Sequence, residues 1–219
     1  MADETASQWA GFYAGGEAGL GYSDFDWQHQ NANYFNTLGA TLLGTDFENN
    51  DTGAMGGIFA GYNYPVDLWV LGLEITASAT DIKQSQQNPF FITDAITSEL
   101  DWITTVTGRA GYSWNRWLFY AKGGWAGGGV ELTFDDTAAA VTANSDEFAY
   151  GWTTGVGAEY KLYDNVSLGV VYDYLDLGID DESINCPNCG VGVGFGTPIV
   201  DGDIRSHSIM GRITIQFSR

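Results

Sequence analysis

The Ser206-His207-Ser208 motif places a histidine between two serines, which are two of the three residue types of a catalytic triad. A histidine that takes a proton from a serine hydroxyl is central to many hydrolases. The surrounding residues alternate like a β-strand, however, so neighbours point to opposite faces and His207 cannot easily reach either serine. Spacing supports no other Ser-His-acid arrangement. We therefore expect no enzymatic activity, with a lipid-modifying enzyme as the remotest alternative.

The two cysteines form a Cys186-Pro187-Asn188-Cys189 motif. In an exported protein an even number of cysteines indicates a disulfide. A redox-catalytic pair would need a helix N-terminus that lowers a thiol pKa, and nothing in this segment indicates one. A zinc site would need two further ligands, and the only histidines are His29 and His207. A structural disulfide is the prediction.

Two acidic runs have the ligand type that divalent cations prefer, since hard cations bind carboxylate oxygens. They are Asp135-Asp136 and Asp180-Asp181-Glu182, and neither has the regular spacing of an EF-hand. The other interpretation is a solvated acidic surface that resists association. We expect no cofactor and regard a bound divalent cation as the weaker alternative.

Seven charged residues interrupt segments that are otherwise apolar on alternate positions. Because side chains alternate across a strand, each charge falls on the face opposite the main apolar one. Buried charges persist only when paired, which predicts an interior ion-pair network. A gated ion path along the same residues is the alternative. The seven are Glu17, Glu74, Arg109, Lys122, Glu159, Asp173 and Arg212.

The elements that would position these charges are eight alternating segments. No run of about 18 apolar residues occurs among the 219, so no transmembrane helix is encoded. A net charge of −20 makes a nucleic-acid partner unfavourable. The predicted strands are 11–22, 54–64, 69–79, 100–112, 117–129, 150–162, 166–175 and 207–217.

The connections alternate between short and long, as in an up-and-down transmembrane β-barrel. Short turns are predicted at 65–68, 113–116 and 163–165. The long loops hold 19 of the 28 acidic residues and only Lys83 and Arg205 as bases, a net charge of 2 − 19 = −17. We predict one all-β domain over 11–217, an eight-stranded antiparallel barrel, after a periplasmic segment 1–10. The predicted extracellular loops are about 23–53, 80–99, 130–149 and 176–206.

Aromatic residues cluster beside the short turns, which suits the periplasmic interface of an outer membrane. Core packing is the alternative, but so many aromatics at one level favour an interfacial belt. They are Tyr62, Tyr64, Trp69, Tyr112, Trp114, Trp117, Tyr160 and Tyr163.

Several motifs resemble the small outer-membrane proteins of alphaproteobacteria, within the wider group of outer-membrane-protein-A-like eight-stranded barrels of the porin-family type. They include Trp9-Ala10-Gly11-Phe12-Tyr13-Ala14-Gly15-Gly16, Thr107-Gly108-Arg109-Ala110-Gly111-Tyr112 and Gly155-Val156-Gly157-Ala158-Glu159-Tyr160. The match covers most strands and few loops. One departure is that Phe217 is followed by Ser218-Arg219, whereas the family usually ends on an aromatic residue. The resemblance implies an outer-membrane location and contact with lipids and lipopolysaccharide.

The leading functional prediction is a structural, surface-exposed barrel that anchors acidic loops for envelope integrity, adhesion or contact with an extracellular protein. The runner-up is a narrow pore or a small-ligand receptor. The resemblance suggests a haem-type ligand for the latter, with His29 or His207 as candidate ligands. Small residues at Ala54, Gly56 and Ala60 would allow lateral association of barrels or simply accommodate strand curvature.

Overall fold

The computed structural model describes residues 6–31, 46–87, 94–136, 141–183 and 199–217, and it confirms the predicted fold class. Eight antiparallel strands form a closed barrel in which each strand pairs with its sequence neighbours and the last pairs with the first. Within the described residues, no helix is long and apolar enough to span a membrane. The strands are β1 Gly11–Asn31, β2 Asp46–Val66, β3 Trp69–Gln87, β4 Asp94–Trp114, β5 Trp117–Asp136, β6 Val141–Tyr163, β7 Val166–Ser183 and β8 Ile199–Phe217.

The strands are tilted and staggered around the barrel. Following paired residues from Gly15 on β1 across the other seven strands leads back to β1 at Phe25, ten residues further along. In an eight-stranded barrel a stagger of this size corresponds to a tilt of about 40°. The interior is then just wide enough for side chains to fill.

The short turns lie where the sequence predicts them, at what we call the turn end of the barrel. Each has two residues between paired strands: Asp67-Leu68, Asn115-Arg116 and Asp164-Asn165. Asp67 and Asn115 both have φ of 54°, a left-handed conformation that Asp and Asn tolerate better than other side chains.

The predicted bounds of the long loops are wrong, because the strands continue well into 23–53, 80–99, 130–149 and 176–206. The rest of the predicted loops, at 32–45, 88–93, 137–140 and 184–198, lies outside the described residues. All 19 acidic residues assigned to loops are strand residues. The alternation with an apolar outer face disappears in these segments, although the backbone pairing continues.

The pattern disappears because the inner and outer faces exchange polarity along the strands, and β8 shows the exchange in its described side chains. On β8 the outward side chains from Phe217 to Ile209 are mainly apolar and Arg212 is buried inside. Further along, the inward residue is the buried Ile204, and the exposed Asp203 and Arg205 point outward. The turn half of the barrel is therefore apolar outside and charged inside, and the opposite end has the reverse arrangement.

Beyond the exchange of polarity the cylinder divides into two sheets. Among the described residues, pairing between β2 and β3 stops at Met55–Thr80, and pairing between β6 and β7 stops at Tyr150–Gly178. Past these pairs, β7-β8-β1-β2 and β3-β4-β5-β6 form two facing sheets, which we call the outer extension. Together with Leu177, which pairs with Gly151 at the base of the extension, their inner faces bury an apolar core of Phe25, Ile82, Leu100, Val130, Ala149 and Ile204.

The N-terminal segment predicted at 1–10 folds into the mouth of the barrel at the turn end, as far as it is described. Ala6 and Trp9 are buried, and the Trp9 amide donates a hydrogen bond to the Ala6 carbonyl. The Lys161 ammonium lies 5.0 Å from the centre of the Trp9 ring and donates to the Gln216 side chain at 2.7 Å. These contacts hold the segment against the turn end of the barrel.

The exchange of polarity predicts opposite responses to charge at two outward positions on β8. An Ile213→Arg variant places a charge on the apolar outer face, and we expect a loss of roughly 2–4 kcal/mol in unfolding free energy. An Asp203→Arg variant changes an outward position of the outer extension, and we expect a change within about 0.5 kcal/mol. Urea titration of the barrel in phospholipid vesicles measures both. Equal losses would contradict the assignment of the two zones.

Candidate functional site

The structure brings all seven predicted interior charges into one cluster, which we call the ion cluster. Every strand except β2 contributes one of them: Glu17 from β1, Glu74 from β3, Arg109 from β4, Lys122 from β5, Glu159 from β6, Asp173 from β7 and Arg212 from β8. Their inward orientation follows from the alternation that keeps apolar side chains on the outer face.

Glu74 is the central carboxylate of the ion cluster. Its Oε2 accepts hydrogen bonds from Arg212 Nη2 at 2.8 Å, the Tyr13 hydroxyl at 2.9 Å and Arg109 Nη1 at 3.3 Å. Its Oε1 lies 3.5 Å from the Lys122 ammonium. One buried carboxylate therefore contacts all three bases of the cluster.

Arg109 links Glu74 to the opposite wall of the barrel. Its Nη1 lies 3.3 Å from Glu159 Oε1, and its Nε donates to Asn63 Oδ1 at 3.1 Å. The guanidinium carbon lies 4.6 Å from the centre of the Tyr13 ring and 4.7 Å from that of the Tyr120 ring. Contact with two aromatic rings favours arginine over lysine at this position.

Arg212 contacts acidic and aromatic side chains of the cluster. Its Nε is 3.3 Å from Glu17 Oε2, and its Nη1 donates to the Tyr120 hydroxyl at 2.8 Å. The guanidinium carbon lies 3.7 Å from the centre of the Phe59 ring. The side chain is completely buried, so it is stable there only because these partners replace water.

Lys122 extends the cluster toward the outer extension. Its ammonium lies 3.1 Å from Asp173 Oδ2, in addition to the contact with Glu74. Asp173 is the least buried member, with its side chain 19% exposed.

The sequence did not identify the neutral members of the cluster. Tyr13, Phe59, Asn63 and Tyr120 contact its arginines, and the Ser167 hydroxyl donates to Glu159 Oε2 at 2.9 Å. Strand alternation places these side chains inside the barrel, but it places many other side chains there as well and so does not single them out. Two glycines make room for the tyrosines: a Cβ at Gly61 would lie 2.3 Å from the Tyr13 hydroxyl, and one at Gly157 would lie 2.5 Å from that of Tyr120.

A small chamber lies between the ion cluster and the apolar core. Its volume is about 40 Å³, room for about three water molecules, far less than a continuous channel would need. Hydroxyl groups, two acids and Lys122 line it, with Met55, Ile103, Leu175 and Met210 toward the apolar core. The polar lining is Glu17, Thr76, Ser78, Thr105, Lys122, Thr153, Asp173, Ser206 and Ser208.

The eight predicted interfacial aromatics all lie beside the turn end, and seven of them are exposed on the outer face. Tyr160 is half-buried, with its ring 4.9 Å from that of Trp117. A second set at the level of the polarity exchange was missed, because its members were assigned singly to strands, or to a loop in the case of Phe148, rather than as a belt. It comprises Tyr22, Trp102, Trp125, Phe148, Tyr150, Trp152 and Tyr172, all exposed.

His207 belongs to this second belt and not to a catalytic arrangement with its neighbours. Ser206 and Ser208 are buried inside the barrel, whereas His207 lies on the opposite face of the strand. Its Nδ1 is 2.7 Å from the Tyr172 hydroxyl, and its ring centre is 5.0 Å from that of Tyr174. The imidazole therefore forms part of an outward aromatic group.

The remaining candidates for chemistry fall outside what can be described. Cys186, Cys189 and the side chain of His29 lie beyond the described residues. For the acidic runs on β5 and β7, the structure describes the backbone but not the side chains. These residues are Asp135, Asp136, Asp180, Asp181 and Glu182. Where side chains are described, no three of His, Cys, Asp or Glu are grouped as metal ligands.

The central position of Glu74 predicts a large and non-additive effect of its removal. We expect Glu74→Gln to lower the unfolding free energy by roughly 3–5 kcal/mol, because it leaves buried bases without their shared partner. Glu17→Gln is the matched control and should cost less, because Glu17 contacts Arg212 at the margin. Urea titration in vesicles measures both.

A double-mutant cycle separates pairing from packing at the same site. Adding Arg212→Met to Glu74→Gln should cost less than the sum of the single losses, since the first substitution has already broken the pair. Strictly additive losses would show that the two side chains are not coupled.

Known proteins match this chain over most of its length. Residues 1–196 match the family described as outer membrane protein beta-barrel domain. The chain is 33% identical over 171 residues to the 31 kDa outer-membrane immunogenic protein of Brucella melitensis, covering 76% of this chain and 67% of that protein. It is 27% identical over 203 residues to the 22 kDa outer membrane protein of Rhizobium leguminosarum, covering 87% and 80%.

Solved structures agree on the fold. The outer membrane protein OprG from Pseudomonas aeruginosa superimposes with a TM-score of 0.53 at 14% identity, covering 95% of this chain and 97% of that one. At this identity the likeness shows the fold alone. Together with the family match, it establishes that the chain belongs to the outer membrane protein β-barrel family and is an outer-membrane barrel.

Proposed function

We propose that this protein is a closed, non-conducting anchor that holds its outer extension at the cell surface for contact with partners outside the cell. The observation that carries the proposal is the filling of the lumen by two successive layers, the ion cluster and the apolar core. The turn end then faces the periplasm, and the outer extension faces the medium.

The ion cluster blocks the lumen within the membrane. Side chains from seven strands meet there, and Glu74, Arg109 and Arg212 are completely or almost completely buried. An ion that entered would have to displace contacts that neutralise these buried charges, and breaking such a pair costs several kcal/mol. The cluster therefore fits a structural role better than an ion path.

The apolar core blocks the lumen a second time. Phe25, Leu177 and Ile204 from one sheet pack within the extension against Ile82 and Leu100 from the other, and all five are at most 1% exposed. An ion crossing this layer would lose its water without gaining a polar partner. The chamber between the two layers, about 40 Å³ in volume, is too small to form part of a continuous water-filled channel.

The outer extension supplies the surface for partners. It carries the acidic residues that the sequence placed in loops, now fixed on paired strands. A surface held by backbone pairing loses little conformational entropy when a partner binds. Adhesion or partner contact is therefore the role that this architecture favours over transport.

Planar-bilayer recording tests the closed lumen. We expect no long-lived conductance steps from the wild-type protein in 1 M KCl. Glu74→Ala/Arg212→Ala and Phe25→Ala/Leu177→Ala should each stay silent, because the two blocks act in series. Only the combination of all four substitutions should conduct, with folding verified by the heat-dependent gel shift. Stable open steps from the wild type would overturn the proposal in favour of a narrow pore.

Surface labelling tests the orientation. In a Cys186→Ser/Cys189→Ser background, Asp203→Cys should react with a membrane-impermeant maleimide on intact cells, because Asp203 is exposed on the outer extension. Asp164→Cys, exposed at the turn end, should react only after the outer membrane is permeabilised. The opposite pattern would place the extension in the periplasm.

A further inference from the structure

Within the residues that the structure describes, the two sheets of the outer extension end in strands that pair on one side only. Residues 141–149 of β6 pair with β5 on one side, and pairing of β6 with β7 ends at Tyr150–Gly178. On β7, Ile179, Glu182 and Ser183 pair with β8. In the described part of the chain, these two edges therefore do not pair with each other, and we call the place between them the β6–β7 seam.

Each edge presents backbone groups in a fixed geometry. In an antiparallel strand, alternate residues direct their N–H and C=O groups to the same side. The nine residues 141–149 would thus offer about four or five such positions to the seam. Pairing on the opposite side already holds β6 extended, so a chain that docks here meets a preformed template.

The charge of the β6–β7 seam is strongly one-sided. Residues 141–149 contain Asp146 and Glu147, residues 179–183 contain Asp180, Asp181 and Glu182, and neither segment contains Lys or Arg. The matching seam between β2 and β3, over 46–54 and 81–87, has four acids and one lysine. The first seam therefore has a formal charge of −5, against −3 for the second.

We propose that the β6–β7 seam binds an extended, lysine- or arginine-rich peptide segment of an extracellular partner by β-strand addition. Backbone hydrogen bonds to the β6 edge would supply affinity, and the acidic side chains would select a basic sequence. Exposed Phe148 and Tyr150 next to the edge add apolar surface for the alternate side chains of the peptide.

The same charges argue against a second copy of this chain as the occupant. Two seams of charge −5 would repel each other, and charged edge strands commonly prevent edge-to-edge association. A basic peptide gains attraction where a second copy meets repulsion. The seam is thus protected from self-pairing and open to a partner of opposite charge.

The experiment uses the full-length protein in detergent micelles and a nine-residue probe, Thr-Lys-Thr-Lys-Thr-Lys-Thr-Lys-Thr, with a fluorescent label. Fluorescence anisotropy at 0.15 M salt should show saturable binding. A probe methylated on alternate backbone nitrogens, with the same charge, should bind at least tenfold more weakly because it cannot complete the ladder. Hydrogen exchange should show new protection at 141–149 when the unmodified probe is present.

Matched variants locate the site. Neutralising the β6–β7 seam with Asp146→Asn, Glu147→Gln, Asp180→Asn, Asp181→Asn and Glu182→Gln should weaken binding at least tenfold. Neutralising the other seam with Asp46→Asn, Glu48→Gln and Asp51→Asn should change it less than threefold. Both variants should retain the heat-dependent gel shift of the folded barrel.

Four results would overturn the proposal: no saturable binding, equal binding of the methylated probe, protection confined to another part of the chain, or dimers of the protein alone that are joined through the seam. The inference rests on the proposed function, because the seam must face the medium, but the two fail separately. A silent bilayer with no peptide binding would remove only the strand addition, whereas open conductance would remove the closed anchor.

Discussion

The medium around the cylinder determines the structure of this protein. Hydrocarbon surrounds the turn half, so outward side chains must be apolar and every backbone group must pair with a neighbouring strand. Water surrounds the outer extension, where the same strands bury apolar side chains and expose charged ones. Ile213 and Ile204 lie on one strand and face opposite directions for this reason. The strand is continuous, and only its surroundings change.

The lumen is filled in two physically different ways because of this change. Inside the membrane half the outward positions take the apolar residues, and the inward positions collect charges that must satisfy one another around Glu74. A buried network of this kind holds its members in one arrangement, since the loss of one member leaves the other buried charges without a partner. In the outer extension the hydrophobic effect operates inward, and Leu177 packs as it would in the core of a soluble sandwich.

Closure of the sheet follows the same boundary. An unpaired strand edge is prohibitively costly in lipid, so all eight strands pair through the membrane half. In water an edge can be solvated, and the β2–β3 and β6–β7 pairings end near the second aromatic belt. The edges that result carry acidic residues, which is the protection that exposed edge strands require. The anchor and the surface available to partners are therefore parts of one continuous sheet.

The sequence by itself determined the barrel and the membership of its ion cluster. Alternation around Glu74, Arg109 and Arg212 places each charge inside as soon as the outer face is assigned to lipid, and this depends only on neighbours along one strand. The full length of the strands was not accessible in this way, because segments such as 23–31 lose the apolar outer face and read as loops. Tertiary structure decided which charges meet, since the registers that join β3 to β8 through β2 and β1 bring Glu74 to Arg212. It also decided the direction of Leu100, which a bulge before Trp102 turns into the core. Pattern along a strand is local, whereas register, bulges and the end of pairing depend on strands that are distant in sequence.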